Sequence, residues 1–348
     1  HVLFRRQRQM CIRDSKNQAG VVISASHNSY EDNGIKFFGD DGKKISDELE
    51  ERIEKKLSEE IVVVSAKKLG KAARISDASG RYIEFCKSCL QRNINFNQLK
   101  IVLDVANGAT YDVAPKVFKE LGAEIIVLSN QPDGTNINKN CGSTDIKLLQ
   151  KEVIKNKADF GIAFDGDGDR LIFVDENAIE LNGDDILYVL ARDKFENQIT
   201  LGSKGIVGTI MTNKGLEISL AKMGVDLIRT DVGDRHVLQK LEELNWDLGG
   251  EQSGHIISLD SSNSGDAIIA AIKFLEAYVC SDLSLKELLK PLVKYPQILV
   301  NLKTDNPEKI LKNKSFKKLV AETLKKLEEY DGRVNVRASG TESKVRIM

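Results

Sequence analysis

The sequence predicts an α/β protein made of a repeated strand–helix unit, with a smaller α+β piece at its end. Three observations carry this reading. From Ala19 onward, short apolar strands alternate with amphipathic helices, the pattern of βαβ units. The strand–turn–helix opening at Ile101 recurs at Ile206. The last stretch carries instead a long Lys-rich helix followed by strands.

Taken in order, Val21–Ser24 reads as a short buried strand and Asp47–Ile61 as a charged amphipathic helix. Ile101–Val105 is a strand ending in Ala-Asn-Gly, and the helix Tyr111–Leu121 behind it is stopped by Gly122. Glu124–Leu128 returns as a strand, Asp145–Asn156 as a helix, and Phe160–Phe164 as another strand. Gly205–Met211, Val225–Arg229 and Ile256–Leu259 continue the strands, and Ser315–Tyr330 is the Lys-rich helix. The repeat of the α/β unit and the change to the Lys-rich last piece place domains at 16–93, 94–199, 200–294 and 295–348. Residues 1–15 contain Gln-Met-Cys-Ile-Arg-Asp-Ser, which resembles one reading frame of a transposon-end sequencing adaptor, so they are read as a non-native scar. The stop at Ile347-Met348, within a strand-like run, reads as a cut.

With 348 residues the chain can bury several cores. Lys+Arg is 51 and Asp+Glu is 52, so no net field attracts nucleic acid or an anionic membrane, and a small molecule is the expected partner. No apolar run approaches the roughly 18–20 residues that cross a bilayer. Five scattered cysteines without a signal peptide suggest a reducing cytoplasm. Cys86 and Cys89 form a CxxC inside a helical pattern with no second pair, and read as two helix cysteines rather than a zinc or redox site.

Four segments carry chemistry. In Ser24-Ala-Ser-His-Asn28 a strand runs into small polar residues, so a hydroxyl can stand exposed at the carboxyl edge of a sheet, with His27 and Lys36 as proton-shuttling and cationic groups nearby. In Phe164-Asp-Gly-Asp-Gly-Asp-Arg170 three alternating carboxylates repel one another unless a hard, oxygen-seeking cation neutralises them. An EF-hand fails there because Arg170 stands sixth and the flanks are strands. A haloacid-dehalogenase-type loop fits until Asp169, and on this segment alone it stays open. Gly249-Gly-Glu-Gln-Ser-Gly-His255 alternates Glu251, Ser253 and His255, which in an extended segment would share one side and suit sugar hydroxyls. Arg337-Ala-Ser-Gly-Thr-Glu-Ser343, with Arg346 beyond, combines guanidinium, hydroxyls and a glycine turn into an anion nest.

Together and in this order, the four segments resemble the phosphoserine, metal, sugar-binding and phosphate-binding loops of the α-D-phosphohexomutase superfamily, and the set rules out the dehalogenase. The resemblance runs from about Gln18 to the end. It implies three similar mixed-sheet α/β domains, the first truncated, and a smaller truncated C-terminal α+β domain around a central cleft. It also implies one Mg²⁺ held by Asp165, Asp167, Asp169 and phosphorylated Ser26, with Ser26, His27, Lys36 and Arg170 catalytic. Substrate contacts fall on Asn28, Gly233, Asp234, Arg235, Glu251, Ser253 and His255, and the phosphate grip on Arg337, Ser339, Gly340, Thr341 and Arg346. A sugar 1,6-bisphosphate is implied as activator, and a monomer or homodimer as the assembly.

Pro132-Asp-Gly-Thr-Asn-Ile-Asn138, Val207-Gly-Thr-Ile-Met-Thr-Asn213, Asp231-Val-Gly-Asp-Arg235 and Gln252 resemble the branch that interconverts glucosamine 6-phosphate and glucosamine 1-phosphate, towards UDP-N-acetylglucosamine and cell wall. Phosphomannomutase or phosphoglucomutase specificity is the near alternative. A truncated, non-catalytic sugar-phosphate-binding module is the distant one. The pattern departs at Ser29, Ala338 and Ser343, where the family usually has proline, which implies looser loops.

Overall fold

The structure, a computed structural model, describes residues 19–197, 204–330, 332–338 and 343–348. The expected scar at 1–15 and the expected boundary at 199/200 lie outside these residues.

Among the described residues, four sheets follow one another along the chain. β1 (Ala19–Ser24) and β2 (Gly34–Gly39) form an antiparallel pair with Ser24 opposite Gly34. The helices Asp47–Leu57 and Ala78–Ser88 follow. The second sheet has the order β4-β3-β5-β6-β7, from β3 (Lys100–Asp104), β4 (Glu124–Leu128), β5 (Phe160–Phe164), β6 (Leu171–Asp175) and β7 (Glu180–Leu181). β3 is parallel to β4 and β5, while β5–β6–β7 turn back antiparallel. The third sheet repeats this plan as β11-β10-β8-β9, from β8 (Gly205–Thr209), β9 (Asp226–Thr230), β10 (Leu248–Gly250) and β11 (Ile256–Ser258). Its β8 is parallel to β9 and β10, and β10–β11 is antiparallel. The last sheet, β12-β14-β13, is antiparallel throughout and built from β12 (Val300–Lys303), β13 (Val336–Ala338) and β14 (Lys344–Ile347).

One large core joins the second and third sheets. The helix Ala267–Cys280 is buried from Ala267 through Ala277, and is apolar nearly all round, as an enclosed helix must be. Its Phe274 packs against Phe160 and Phe173, with ring centroids 6.2 and 4.3 Å apart. Each such fully buried large side chain contributes roughly 1.5–3 kcal/mol. Its two charged residues, Lys273 and Glu276, pair with each other, and Glu276 accepts the backbone N–H groups of Gln91 and Arg92. Cys86 and Cys89 are both buried, Cys86 within the helix Ala78–Ser88 and Cys89 at its C-terminal cap.

Three expectations need correcting. The strand expected to be buried over Val21–Ser24 lies within β1, but only Val22 is buried there, and Val21 and Ile23 are exposed. The helix expected over Asp47–Ile61 stops at Leu57, capped by Ser58, and the β-branched run Ile61–Val64 behind it is exposed coil. The segment expected to extend through Glu251, Ser253 and His255 is a tight turn between β10 and β11. The Gly254 N–H donates to the Glu251 carbonyl at 3.0 Å, and Gly254 has φ +88°. Alternation therefore does not set which way those three side chains face.

Candidate active site

Strand ends set the site. The Ser26 loop leaves the end of β1, the aspartate loop leaves the end of β5, and the Glu251 turn leaves the end of β10. In open α/β sheets, these carboxyl edges are where ligands bind.

Ser26 is held in the left-handed region, at φ +53°, which a non-glycine residue adopts at a cost and which marks it as a functional candidate. Its backbone N–H donates to Ser24 Oγ at 3.0 Å, and Asn138 Nδ2 donates to the carbonyls of Ser26 and Asn28 at 2.8 and 2.7 Å. The hydroxyl, thus aimed, donates to Asp167 Oδ1 at 3.1 Å, while Lys36 Nζ donates to Asp167 Oδ2 at 2.7 Å. The first glycine of the aspartate loop makes this approach possible: a Cβ on Gly166 would lie 2.3 Å from the Ser26 carbonyl oxygen.

Asp165, Asp167 and Asp169 are buried, and each offers an oxygen within 4.8 Å of the others. Asp165 Oδ1 accepts the backbone N–H groups of Asp169 (3.0 Å) and Arg170 (3.1 Å), which folds the loop around it. Its Oδ2 is buried with no hydrogen-bond donor among the described residues. Burial, and then the charges of Asp169 and Asp167, push the Asp165 carboxyl well above the usual carboxylate range. A buried set of oxygen donors that cannot all stay ionised unaided, one of them orphaned, fits a hard divalent cation such as Mg²⁺.

Around this centre lies a cleft of about 710 Å³. Ser26, His27, Lys36, Asp169 and Arg170 line one part, Gly233, Asp234, Glu251, Ser253 and His255 another, and Arg337 and Arg346 a third. Burial and then the Arg170 charge lower the His27 imidazole below its ordinary value, so it is neutral near pH 7. Burial of Arg170 opposes its charge, but Asp169, Asp165 and Glu251 outweigh it and the guanidinium stays protonated. The Gly233 N–H donates to Glu251 Oε1 at 3.0 Å and fixes that carboxylate. The His255 ring sits between carboxylates, with Nδ1 3.7 Å from Asp169 and Nε2 4.0 Å from Asp234. Arg337 and Arg346 are direct partners across β13 and β14, and burial followed by the Arg346 charge lowers the Arg337 pKa. Two like charges set opposite each other are relieved by an anion between them.

Of the expected site residues, Asp165, Asp167, Asn28 and Arg235 do not line the cleft; of the three aspartates only Asp169 reaches it, and Asp165 and Asp167 lie behind it, buried. Asn28 braces the serine loop, and Arg235 pairs with Asp47 on the surface. Ser339, Gly340 and Thr341 lie outside the described residues. The cleft also takes in Lys44, Ser143, Thr144, Thr209, Met211 and Gln252, none of which sequence reasoning assigned to it. Lys44, which pairs with Asp234 at 2.9 Å, sits in an ordinary charged turn and gives no signal in the sequence.

The comparisons with known proteins agree with this geometry. The chain matches the phosphoglucomutase/phosphomannomutase family in four parts: alpha/beta/alpha domain I at residues 7–62, domain II at 80–180, domain III at 182–295 and the C-terminal domain at 299–348. It is 50% identical over 331 residues to a phosphoglucosamine mutase of Aliivibrio fischeri (strain MJ11), covering 95% of this chain and 74% of that protein. It is 48% identical to one from Histophilus somni (strain 2336) over 97% of this chain and 75% of that protein. Among solved structures, a phosphoglucomutase/phosphomannomutase family protein from Burkholderia thailandensis superposes with TM-score 0.73 at 21% identity, over 94% of this chain and 71% of that one. An Aspergillus fumigatus N-acetylphosphoglucosamine mutase in complex with GlcNAc-6P and magnesium superposes with TM-score 0.69 at 18% identity, over 99% and 87%. These two share the fold. The sequence relatives go further: the chain belongs to the phosphoglucosamine mutase family of the α-D-phosphohexomutases.

Proposed function

We propose that this chain interconverts glucosamine 6-phosphate and glucosamine 1-phosphate through a phosphoserine at Ser26 and a sugar 1,6-bisphosphate. The observation that carries the reading is that one cleft is lined by the strained Ser26 and by Asp169 of the aspartate cluster at one end and by the opposed arginines Arg337 and Arg346 at the other. One end can transfer a phosphoryl group while the other grips the phosphate that is not reacting.

Asp165, Asp167 and Asp169 would hold Mg²⁺ beside Ser26. When bound, the ion offsets charge that develops on the transferring phosphoryl group. In the forward half-reaction a sugar hydroxyl attacks phosphoserine, so a new P–O bond to the sugar forms as the P–Oγ bond breaks. Neutral His27 accepts the hydroxyl proton, and Lys36, beside Ser26 through Asp167, protonates the departing serine oxygen. Arg170 holds the aspartate loop and the phosphoryl oxygens. The bisphosphate then reverses in the cleft, and its other phosphate returns to Ser26. Glu251, Ser253 and His255 hold ring hydroxyls in either orientation, with Gly233 and Asp234 behind them. A sugar 1,6-bisphosphate acts as activator.

The test is kcat/KM for glucosamine 6-phosphate against glucose and mannose 6-phosphates, with Mg²⁺ and a trace of bisphosphate. A preference of about tenfold or more, about 1.4 kcal/mol of transition-state discrimination, supports the amino sugar as substrate. Equal or reversed preference moves the chain to phosphomannomutase or phosphoglucomutase activity.

A further inference from the structure

The Glu251 turn and the segment leading to the last sheet meet at one polar junction. Gln252 and Gln297 face each other through their amides: each donates its Nε2–H to the other's Oε1, both at 3.4 Å. Gln252 Nε2 also donates to Asp184 Oδ2 at 3.3 Å, and the same oxygen accepts the Asn213 backbone N–H at 3.0 Å. Asp184 is wholly buried in the first turn of the helix Gly183–Glu196, whose Gly183 N–H binds the Gln252 carbonyl at 3.0 Å. The turn is therefore held to that helix by both its backbone and its side chain.

Asn213 carries the junction across to the connecting segment. Its Oδ1 accepts the Tyr295 N–H at 3.0 Å, and its Nδ2 donates to the Tyr295 carbonyl at 2.9 Å and to Gln297 Oε1 at 3.1 Å. Gln297 Nε2 donates to the Met211 carbonyl at 3.0 Å. The last domain leans on the same stretch, with Asn335 Nδ2 donating to the Ile210 carbonyl at 2.9 Å and Arg333 to that of Thr212. Gln297 falls between the stretches matched by domain III (182–295) and the C-terminal domain (299–348). Gln252 and Met211 line the cleft, and Gln252 stands between Glu251 and Ser253.

We infer that the Gln252–Gln297 amide pair is a positioning contact that ties the sugar-binding turn to the placement of the phosphate-gripping strands β13 and β14. The inference rests on the functional reading above, in which those two elements hold opposite ends of one substrate. The physical argument is one of fixed polarity. An ionised Asp184 accepts only, so it orients the Gln252 amide with its N–H groups inward and leaves Oε1 for Gln297. Asn213 and the Met211 carbonyl orient the Gln297 amide in the complementary sense. Turning either amide breaks several hydrogen bonds at once, so the pair is either made or broken. The long 3.4 Å contacts are the part that a small shift of the turn closes or severs. A ligand that settles the turn thus also settles the segment at 295–298, which is what coupling between the two ends requires.

The experiment is amide hydrogen exchange with and without saturating glucosamine 6-phosphate, on wild type, Gln252→Met, Gln297→Met and the double variant, each with its Tm. In wild type, the sugar phosphate slows exchange at 251–255 and, by about tenfold, at 295–298. In each single variant the slowing at 251–255 persists and that at 295–298 is lost, and the double variant loses no more than either single. Slowing at 295–298 that survives in the variants overturns the inference, as does slowing confined to 251–255 in wild type. Slowing at neither stretch in wild type overturns the functional reading as well. If Gln252→Met does not fold, Gln297→Met in the exposed connecting segment decides the same question.

Discussion

Ser26 and Asp167 lie 141 residues apart, in loops that leave different sheets, yet the serine hydroxyl donates to the aspartate at 3.1 Å. The contact exists because the two loops interlock. Asn138 of the second domain ties down the serine loop's carbonyls, and Gly166 leaves room for the Ser26 carbonyl. The nucleophile is therefore positioned by the domain that carries the carboxylates rather than by its own hairpin alone.

That interlock predicts the effect of Gly166→Ala. The added methyl meets backbone, which cannot swing aside, so stability falls by about 1–3 kcal/mol as for an overpacked core, and activity falls because Ser26 is pushed off Asp167. Thermal unfolding and kcat measured together check this; an unchanged Tm with full activity would show that the loops are not in contact.

Metal binding should be visible without turnover. Mg²⁺ at about a hundredfold excess over its Kd stabilises the fold by about 2.7 kcal/mol, seen as a rise in Tm that EDTA reverses. Asp165→Asn removes a charge from the centre of the cluster and should abolish most of that rise. A full Mg²⁺-dependent shift in the variant would place the ion elsewhere.

Lys36→Met removes the ammonium that pairs with Asp167 beside Ser26. Loss of a general acid lowers kcat by about 10²–10⁴. KM for the sugar phosphate should change little, because Lys36 faces the reacting end. A large KM effect with kcat retained would make Lys36 a binding residue instead.

Asp184 supplies a pH dependence apart from the metal cluster. Burial, only partly offset by the Asn213 N–H, raises its carboxyl from 3.8 to about 6. Between those values the folded chain holds a proton that the unfolded chain has lost. Stability contributed by this group is therefore present below about pH 4 and is lost as pH rises through about 6, by on the order of 3 kcal/mol. In urea unfolding across that window, Asp184→Asn should remove this falling component. An unchanged pH profile in the variant would contradict it.

Much of this was legible in the sequence, for physical reasons that differ by element. β4 and β5 fall at the expected residues, Glu124–Leu128 and Phe160–Phe164, because the apolar run of β4 is opened by Gly122-Ala123 and closed by Ser129-Asn130, and that of β5 lies between Asp159 and Asp165. The aspartate cluster was legible because like charges at such spacing need a cation. β2 was missed: Gly34–Gly39 holds Lys36 and exposes Ile35, so it lacks the apolar run of a buried strand. The Glu251 turn was misread because alternation signals a strand only where the backbone stays extended, and Gly254 ends that. Met211 and Lys44 reach the cleft through tertiary placement, which no local pattern encodes.

The most direct test of the account is a single-turnover transfer from Ser26. The purified enzyme is charged with a sugar 1,6-bisphosphate, freed of excess, and mixed with glucosamine 6-phosphate and Mg²⁺, and the peptide bearing Ser26 is followed by mass spectrometry. The account predicts that this peptide alone carries one phosphoryl group, that the label passes to the sugar as bisphosphate within a turnover, and that Ser26→Ala takes up none. A phosphoryl group on another residue, or its release as inorganic phosphate instead of transfer to the sugar, would contradict it.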